Sequence, residues 1–264
     1  MIELGDIAIM GGGCYGSFYL GQLTTARRKV ALRFRRLLVV DQDPGCQAAA
    51  HVVEPGCELV VSPWNDFLDR YLDPTRRDLD HLTDTIVPTP LMPHLLAHWL
   101  ERRARIRWPD REVSLLPAEV PLGTPYDRLH HDGVRYVSFA DWLCPTHCVE
   151  PLLCPAIKAP RTWEMADAVT AWTRDRAPNR STAAPALFHC RHTAFGVGMY
   201  PAHAAFDGFA RFVPVADAPT GADLVIGSIS SCHGAIALLR VGPVRSADQP
   251  PREPEGVLYS QPYD

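Results

Sequence analysis

Along the first half of the chain, apolar residues come in short continuous runs rather than in alternation. Asp6 to Met10 reads Asp-Ile-Ala-Ile-Met and meets Gly11-Gly12-Gly13; Leu37 to Val40 stops at Asp41; Leu59 to Val61 follows. A run that is apolar at nearly every position suits a strand buried on both faces. Between the first two runs, Cys14 to Lys29 has no proline and closes on Arg27-Arg28-Lys29, basic residues that complement the negative end of a helix. Ser62-Pro63 supplies an N-cap and a proline at the first helical position. Trp64, Phe67, Leu68, Tyr71 and Leu72 then recur at helical spacing until Asp73-Pro74. Ile86-Val87 predicts a fourth strand. Met92, Leu95, Leu96, Trp99 and Leu100 predict another amphipathic helix, with His94 and His98 on its solvated side, and Val113 to Leu116 a fifth strand. Strands alternating with helices predict an α/β fold built on a mostly parallel sheet with helices on both faces.

After residue 120 the pattern loosens. Val134 to Phe139 predicts a strand, Thr162 to Arg174 a helix with Met165, Val169 and Trp172 on one side, and Leu224 to Ile229 and Ala235 to Val241 two more strands. His130-His131-Asp132-Gly133 reads as a turn. Gly196-Val197-Gly198 reads as a turn before a helix from Pro201 to Phe212. Prolines concentrate after residue 85, and a proline-rich stretch at Leu116 to Pro125 marks a boundary. The expected organisation is a first domain over 1–120 and a Cys/His-containing α+β part over 121–264, ending in an extended tail from Ser246 to Asp264.

With 47% hydrophobic and 21% charged residues, the 264-residue chain has the balance of a globular protein rather than a disordered one. The formal charge of −4 gives no basic excess for a nucleic-acid partner. No apolar run reaches the roughly 18–20 residues of a membrane helix; the nearest, Leu224 to Leu239, is interrupted by Ser228, Ser230, Ser231 and His233. The opening Met1-Ile2-Glu3-Leu4-Gly5-Asp6 has acid where a signal peptide has base. The expectation is a cytoplasmic protein, whose eight cysteines are thiols or metal ligands rather than disulfides.

Gly11-Gly12-Gly13-Cys14-Tyr15-Gly16 fits G-x-G-x-x-G in the setting that gives the pattern meaning: after a strand, opening a helix, and followed by a second strand ending in an acid. Gly11 allows the tight turn, Gly13 leaves room for a pyrophosphate, and Gly16 lets helix and strand pack closely. The helix N-terminus offers free N–H groups to phosphates. Asp41 would accept hydrogen bonds from the adenosine ribose, favouring NAD over NADP. It lies 25 residues beyond Gly16, against a usual spacing of roughly 20, so a longer helix or loop intervenes. On these residues the chain resembles the NAD(P)-binding Rossmann superfamily. It is most similar to the nucleotide-binding modules of potassium-transport regulators, saccharopine-dehydrogenase-like proteins and precorrin-2 dehydrogenases, the last of which share a Gly-Gly-Gly loop. The resemblance covers about residues 5–62 well and extends loosely to about 118. It implies the fold and dinucleotide binding, with S-adenosylmethionine or an empty scaffold as alternatives, and no particular reaction.

Cys144-Pro145-Thr146-His147-Cys148 is followed by Cys154-Pro155. Closely spaced thiols converge on one ion without a large fold around them, and proline stiffens the loop that carries them. Cys-Pro also occurs in ferredoxin-type loops, although the spacings here match neither a ferredoxin run nor a zinc ribbon. A fourth ligand must come from elsewhere: Cys232, in Ser231-Cys232-His233-Gly234, is the first choice, then His189 or His192, then His147. A thiolate-rich set suits zinc or an iron–sulfur cluster and excludes magnesium and calcium. Plain structural thiols, or redox-active ones, are the alternatives. The chain lacks G-x-S-x-G, a Walker loop and H-E-x-x-H.

These features predict an NAD-linked redox protein with a Cys-ligated metal site, working with a redox or complex partner. The absence of a clear acid–base pair leaves room for a non-enzymatic nucleotide- or redox-sensing subunit. The glycine loop beside many thiols also admits a tetrapyrrole or metal-cofactor assembly factor.

Overall fold

Alternate residues of the two central strands face opposite ways into apolar surroundings. In β1 (Ile2–Met10) and β2 (Leu32–Asp41), Ile7, Ile9, Leu37 and Val39 pack with Leu20 and Leu23 of α1 (Cys14–Arg28). Ala8, Met10, Leu38 and Val40 pack on the other side with Phe67 and Leu68 of α2 (Trp64–Tyr71) and Leu96 and Leu100 of α3 (Leu95–Arg107). Strands buried on both faces are what the continuous apolar runs require. The computed structural model describes residues 1–73, 83–90, 92, 94–142, 144, 148–176 and 184–244. The expected C-terminal tail and His147 lie outside the described residues.

β1 pairs in parallel with β2 and with β4 (Thr85–Val87), and β2 with β3 (Cys57–Val61). The sheet does not end at β4. A hairpin from the second half of the chain, β11 (Arg191–Ala194) and β12 (Val197–Pro201), adds to it antiparallel, giving the order β11-β12-β4-β1-β2-β3. The second sheet takes β5 (Val113–Pro117), β6 (Tyr126–Leu129), β7 (Arg135–Ser138), β10 (Ala186–His189), β13 (Ala222–Ile229) and β14 (His233–Val241). Only its β10–β13 pair is parallel. The fold is therefore mixed α/β with mixed sheets and, among the described residues, five α-helices.

Three details depart from the sequence reading. The apolar run Val113 to Leu116 is a strand, but it pairs with β14 rather than with the first sheet. Residues on either side of 120 also share sheets and cores. The run of apolar residues shows that a strand is buried; it does not show against what. The two sheets are joined by α3 and α5 (His203–Ala216), whose apolar sides touch both. α4 (Met165–Arg176) covers the far face of the second sheet through Met165, Val169 and Trp172. His94, expected on a solvated side, is buried instead, with Nδ1 3.4 Å from Ser228 Oγ of β13. Burial pushes its imidazole down to about 4, so it is neutral at pH 7.

The first sheet is locked at its lower end by charge. Asp6 and Asp84 are fully buried. The Asp6 carboxylate accepts from Arg35 Nε at 2.7 Å and Arg36 Nε at 3.1 Å, and Asp84 Oδ1 accepts from the Asp6 backbone N–H at 2.7 Å and Arg35 Nη2 at 3.1 Å. Burial alone would raise the Asp6 carboxyl; the two guanidiniums outweigh it and hold the group below the usual range.

Candidate functional site

The glycine loop lies at the carboxyl edge of β1. Gly11 has φ +95°, which disfavours any residue with a side chain, and its N–H donates to Val40 O at 2.8 Å. A Cβ on Gly16 would lie 1.9 Å from Gly11 O, so this position must be glycine for α1 to approach the turn. A Cβ on Gly13 would meet nothing within 4 Å. Gly13 is also the N-cap of α1, which has no side-chain cap and no acid in its first turn. Its first N–H groups are thus left for another acceptor. Asp41, at the end of β2, accepts from the N–H of Gly12 at 2.6 Å and of Asp43 at 2.9 Å. All four sequence-predicted nucleotide residues thus stand around one turn.

The four cysteines proposed as ligands line one cavity of about 150 Å³. Cys144 and Cys148 come from the loop after β7, and Cys154 from a small hairpin of β8 (Leu153–Cys154) and β9 (Ala159–Pro160). Cys232 is in the turn between β13 and β14, 78 residues beyond Cys154. The remaining wall includes Trp142, Glu150, Arg161, His192 and His233. Among the described residues, no three Cys, His, Asp or Glu side chains stand close enough together to share a single ion.

Specific bonds hold the cavity walls. The Glu150 carboxylate accepts from the Ser231 N–H at 3.0 Å, tying the cysteine loop to the hairpin tip. Glu150 itself sits at φ +48°, a strained conformation for this residue, and its N–H donates to Cys148 Sγ at 3.3 Å. Trp163 Nε1 donates to Cys232 Sγ at 3.3 Å. Phe139 N–H donates to Cys232 O and Met165 N–H to Ser231 O, so β7 and α4 brace the same turn. A bulge between His192 and Ala194 of β11 lets His192 reach this cavity while Ala194 packs in the core under α1. His192 Nδ1 donates to Cys148 O. Ser138 gives its hydroxyl proton to Ala140 O, so the 2.8 Å contact from His233 Nδ1 is a donation to Ser138. In both histidines Nε2 is then the basic nitrogen, the arrangement found where a second hydrogen bond orients a metal-binding imidazole.

Burial shapes the electrostatics of the lining. Burial, and then the neighbouring Cys148, push the Cys144 thiol up. Burial pushes Cys232 up to about 11, against the opposing N–H of Trp163. Both thiols are thus held protonated at neutral pH, which makes them poor nucleophiles. Burial raises the Glu150 carboxyl, but the Ser230 hydroxyl and Ser231 N–H outweigh it and keep it ionised. Burial lowers His233. Glu150 and His192 also face an adjoining polar cleft of about 470 Å³, where His189, Arg191, Glu164 and Asp167 stand.

A family model, AF_1314_C, described as an uncharacterized protein's C-terminal domain, matches residues 96–242. The chain belongs to the AF_1314_C family. The AF_1314_C span starts within α3 and ends just beyond β14, so it contains the whole lining of the cysteine cavity and leaves the glycine loop outside. The TSET complex member tstF of Dictyostelium discoideum is 31% identical over 94 residues, 35% of this chain. The match spans 8% of tstF. No solved structure matches.

Within the AF_1314_C span, His192 lines the cavity as an alternative ligand, whereas His189 lies in the adjoining cleft. Cys190, between them in sequence, is buried, and burial raises its thiol to about 12. Sequence reasoning missed Glu150, Arg161, Trp142 and Trp163. None belongs to a motif; the only signal was a dense run of cysteine, proline and tryptophan from 142 to 163. Cys14, Cys46 and Cys57 lie at the glycine loop or in the first sheet, away from the cavity lining.

Proposed function

We propose that this chain is an NAD-linked redox protein with a cysteine-ligated metal centre. Cys144, Cys148, Cys154 and Cys232 would hold the metal, iron–sulfur or zinc, with His192 and His233 as further donors. The observation that carries this reading is the meeting of four cysteines from three segments in one cavity. Buried thiols usually scatter through a core as small apolar groups. Here they share one cavity with two oriented imidazoles. The soft donor set suits zinc or iron rather than magnesium or calcium.

The nucleotide half of the proposal rests on the glycine loop. The parallel order β3-β2-β1-β4, the positive φ of Gly11, the close approach at Gly16 and the acid at the end of β2 support a Rossmann-like reading of residues 2–87. The ligand there would be a dinucleotide, with phosphates at the α1 N-terminus and ribose at Asp41. α1 links the two proposed sites: it opens at the loop and packs against the hairpin that carries His192, where Gln22 Nε2 donates to Phe195 O at 3.0 Å. A partner protein that exchanges electrons with the centre belongs to the same proposal. Bound metal in Cys148→Ala, measured per chain after anaerobic purification, tests the ligand assignment. It should fall well below wild type; equal stoichiometry would remove Cys148 from the site.

A further inference from the structure

The cavity distinguishes between the two kinds of metal centre that cysteine supports. A lone zinc ion binds sulfur at about 2.3 Å and draws its ligands into a tight tetrahedron. It fills less space than one water molecule, whose share of liquid volume is about 30 Å³. The cavity here offers about 150 Å³, far more than a single ion fills. The thiols therefore line a room rather than surround a point. An eight-atom core, with four sulfides about the size of water and four smaller irons between them, suits that room.

The wall also carries a hydrogen-bond donor that lacks an acceptor. Arg161 lines the cavity with only 8% of its side chain exposed, and its Nε is buried with no hydrogen-bond partner. The indole Nε1 of Trp142, also in the wall, donates to the Cys144 sulfur. Leaving the Arg161 donor unpaired costs about 1–3 kcal/mol, so it calls for an occupant with acceptor atoms of its own. A zinc ion has none. The sulfides of a cluster do. Trp163 Nε1 and the Glu150 N–H already donate to Cys232 and Cys148 sulfurs, which are the contacts that tune cluster potentials.

From this room and these donors, we infer that the cavity holds a four-iron iron–sulfur cluster on Cys144, Cys148, Cys154 and Cys232, with Trp163 as a positioning residue that stabilises its reduced form. The inference rests on the metal-centre reading above and goes further by choosing the metal.

The test is made on the full chain, purified without air. Iron, zinc and acid-labile sulfide are counted per chain, and absorption is followed during redox titration with dithionite. The expected result is about four irons and four sulfides, with a visible band that bleaches on reduction. Trp163→Phe should keep that stoichiometry but move the midpoint negative. At a fixed potential its reduced-to-oxidised ratio should fall up to about tenfold, equal to about 59 mV for one electron. If Trp163→Phe fails to fold, Trp142→Phe removes the donor beside Cys144 and is read the same way. Zinc near one per chain without sulfide would overturn the cluster and leave the metal-centre reading standing. No metal under any loading, with all four thiols free to titrate, would overturn that reading as well. An intact cluster with an unchanged midpoint in both variants would overturn the role of the indole donors.

Discussion

Replacing Gly13 by valine and, separately, Gly16 by alanine should divide ligand binding from folding within four residues. Gly13 has extended backbone, φ −73° and ψ −158°, with no positive φ to reserve it for glycine, and an added Cβ meets no atom within 4 Å. The cost to stability should stay within about 1 kcal/mol, the loss from a poorer N-cap. Gly16 is the opposite case. Its Cβ would stand 1.9 Å from a backbone carbonyl that cannot rotate away. Overpacking of that kind costs about 3 kcal/mol, and Tm should drop by about 6–12 °C. Binding should follow the reverse order. A valine at position 13 would fill the space that a pyrophosphate needs and remove at least one N–H bond to a charged oxygen, about 1.5–3 kcal/mol. The Kd for NADH should rise about 10- to 150-fold. Thermal unfolding and NADH fluorescence titration on both variants and wild type provide the readings. Wild-type affinity in a folded Gly13→Val protein would refute a phosphate-cradling loop. A Gly16→Ala protein as stable as wild type would refute the packing argument.

Three further outcomes follow from charge and burial. Asp6→Asn removes the anion that two guanidiniums share. Loss of one partner of a buried pair costs about 3–5 kcal/mol, but Arg35 and Arg36 retain 43% and 38% exposure, so about 2–3 kcal/mol is expected in urea unfolding. Because the Asp6 carboxyl is held below its ordinary value of about 3.9, its stabilisation is present above that pH and is lost as pH falls through the folded value. The Asn variant should lack that acid-range loss. His94 is held neutral: its folded value is about 4 against about 6.5 unfolded, so stability is whole above about 6.5 and falls by about 3 kcal/mol towards pH 4. His94→Leu should flatten that part of the urea-midpoint profile; an unchanged slope would place the titration elsewhere.

The first sheet was legible because its strands are apolar on both faces and its turns are marked by glycine and proline. The runs at Ile7 to Met10 and Leu37 to Val40 could hardly be anything else. The second half was harder to read for physical reasons. Arg191-His192-Thr193 resembles a loop by composition, yet it forms a sheet edge in which a bulge lets His192 line the cavity while Ala194 packs in the core. Val113 to Leu116 announces a strand without saying that its partner is β14, far along the chain. Cysteines were readable as a set because few residue types are so rarely clustered. Glu150, Arg161 and Trp163 were not, since each gains meaning only from the hairpin tip that folds against it.

The cysteine cavity draws its lining from distant parts of the chain. Cys148 and Cys232 are 84 positions apart, and the turn that bears Cys232 is among the last described segments to leave the ribosome. A centre bridging them closes a loop of that length, which by chain-entropy reasoning removes about 4–5 kcal/mol of freedom from the unfolded state. On the proposed reading, the ligand set would be complete only once the turn between β13 and β14 is in place. Such a centre would act as a late cross-link, and its removal would loosen the cysteine loop, β7 and the β11 edge together rather than one at a time.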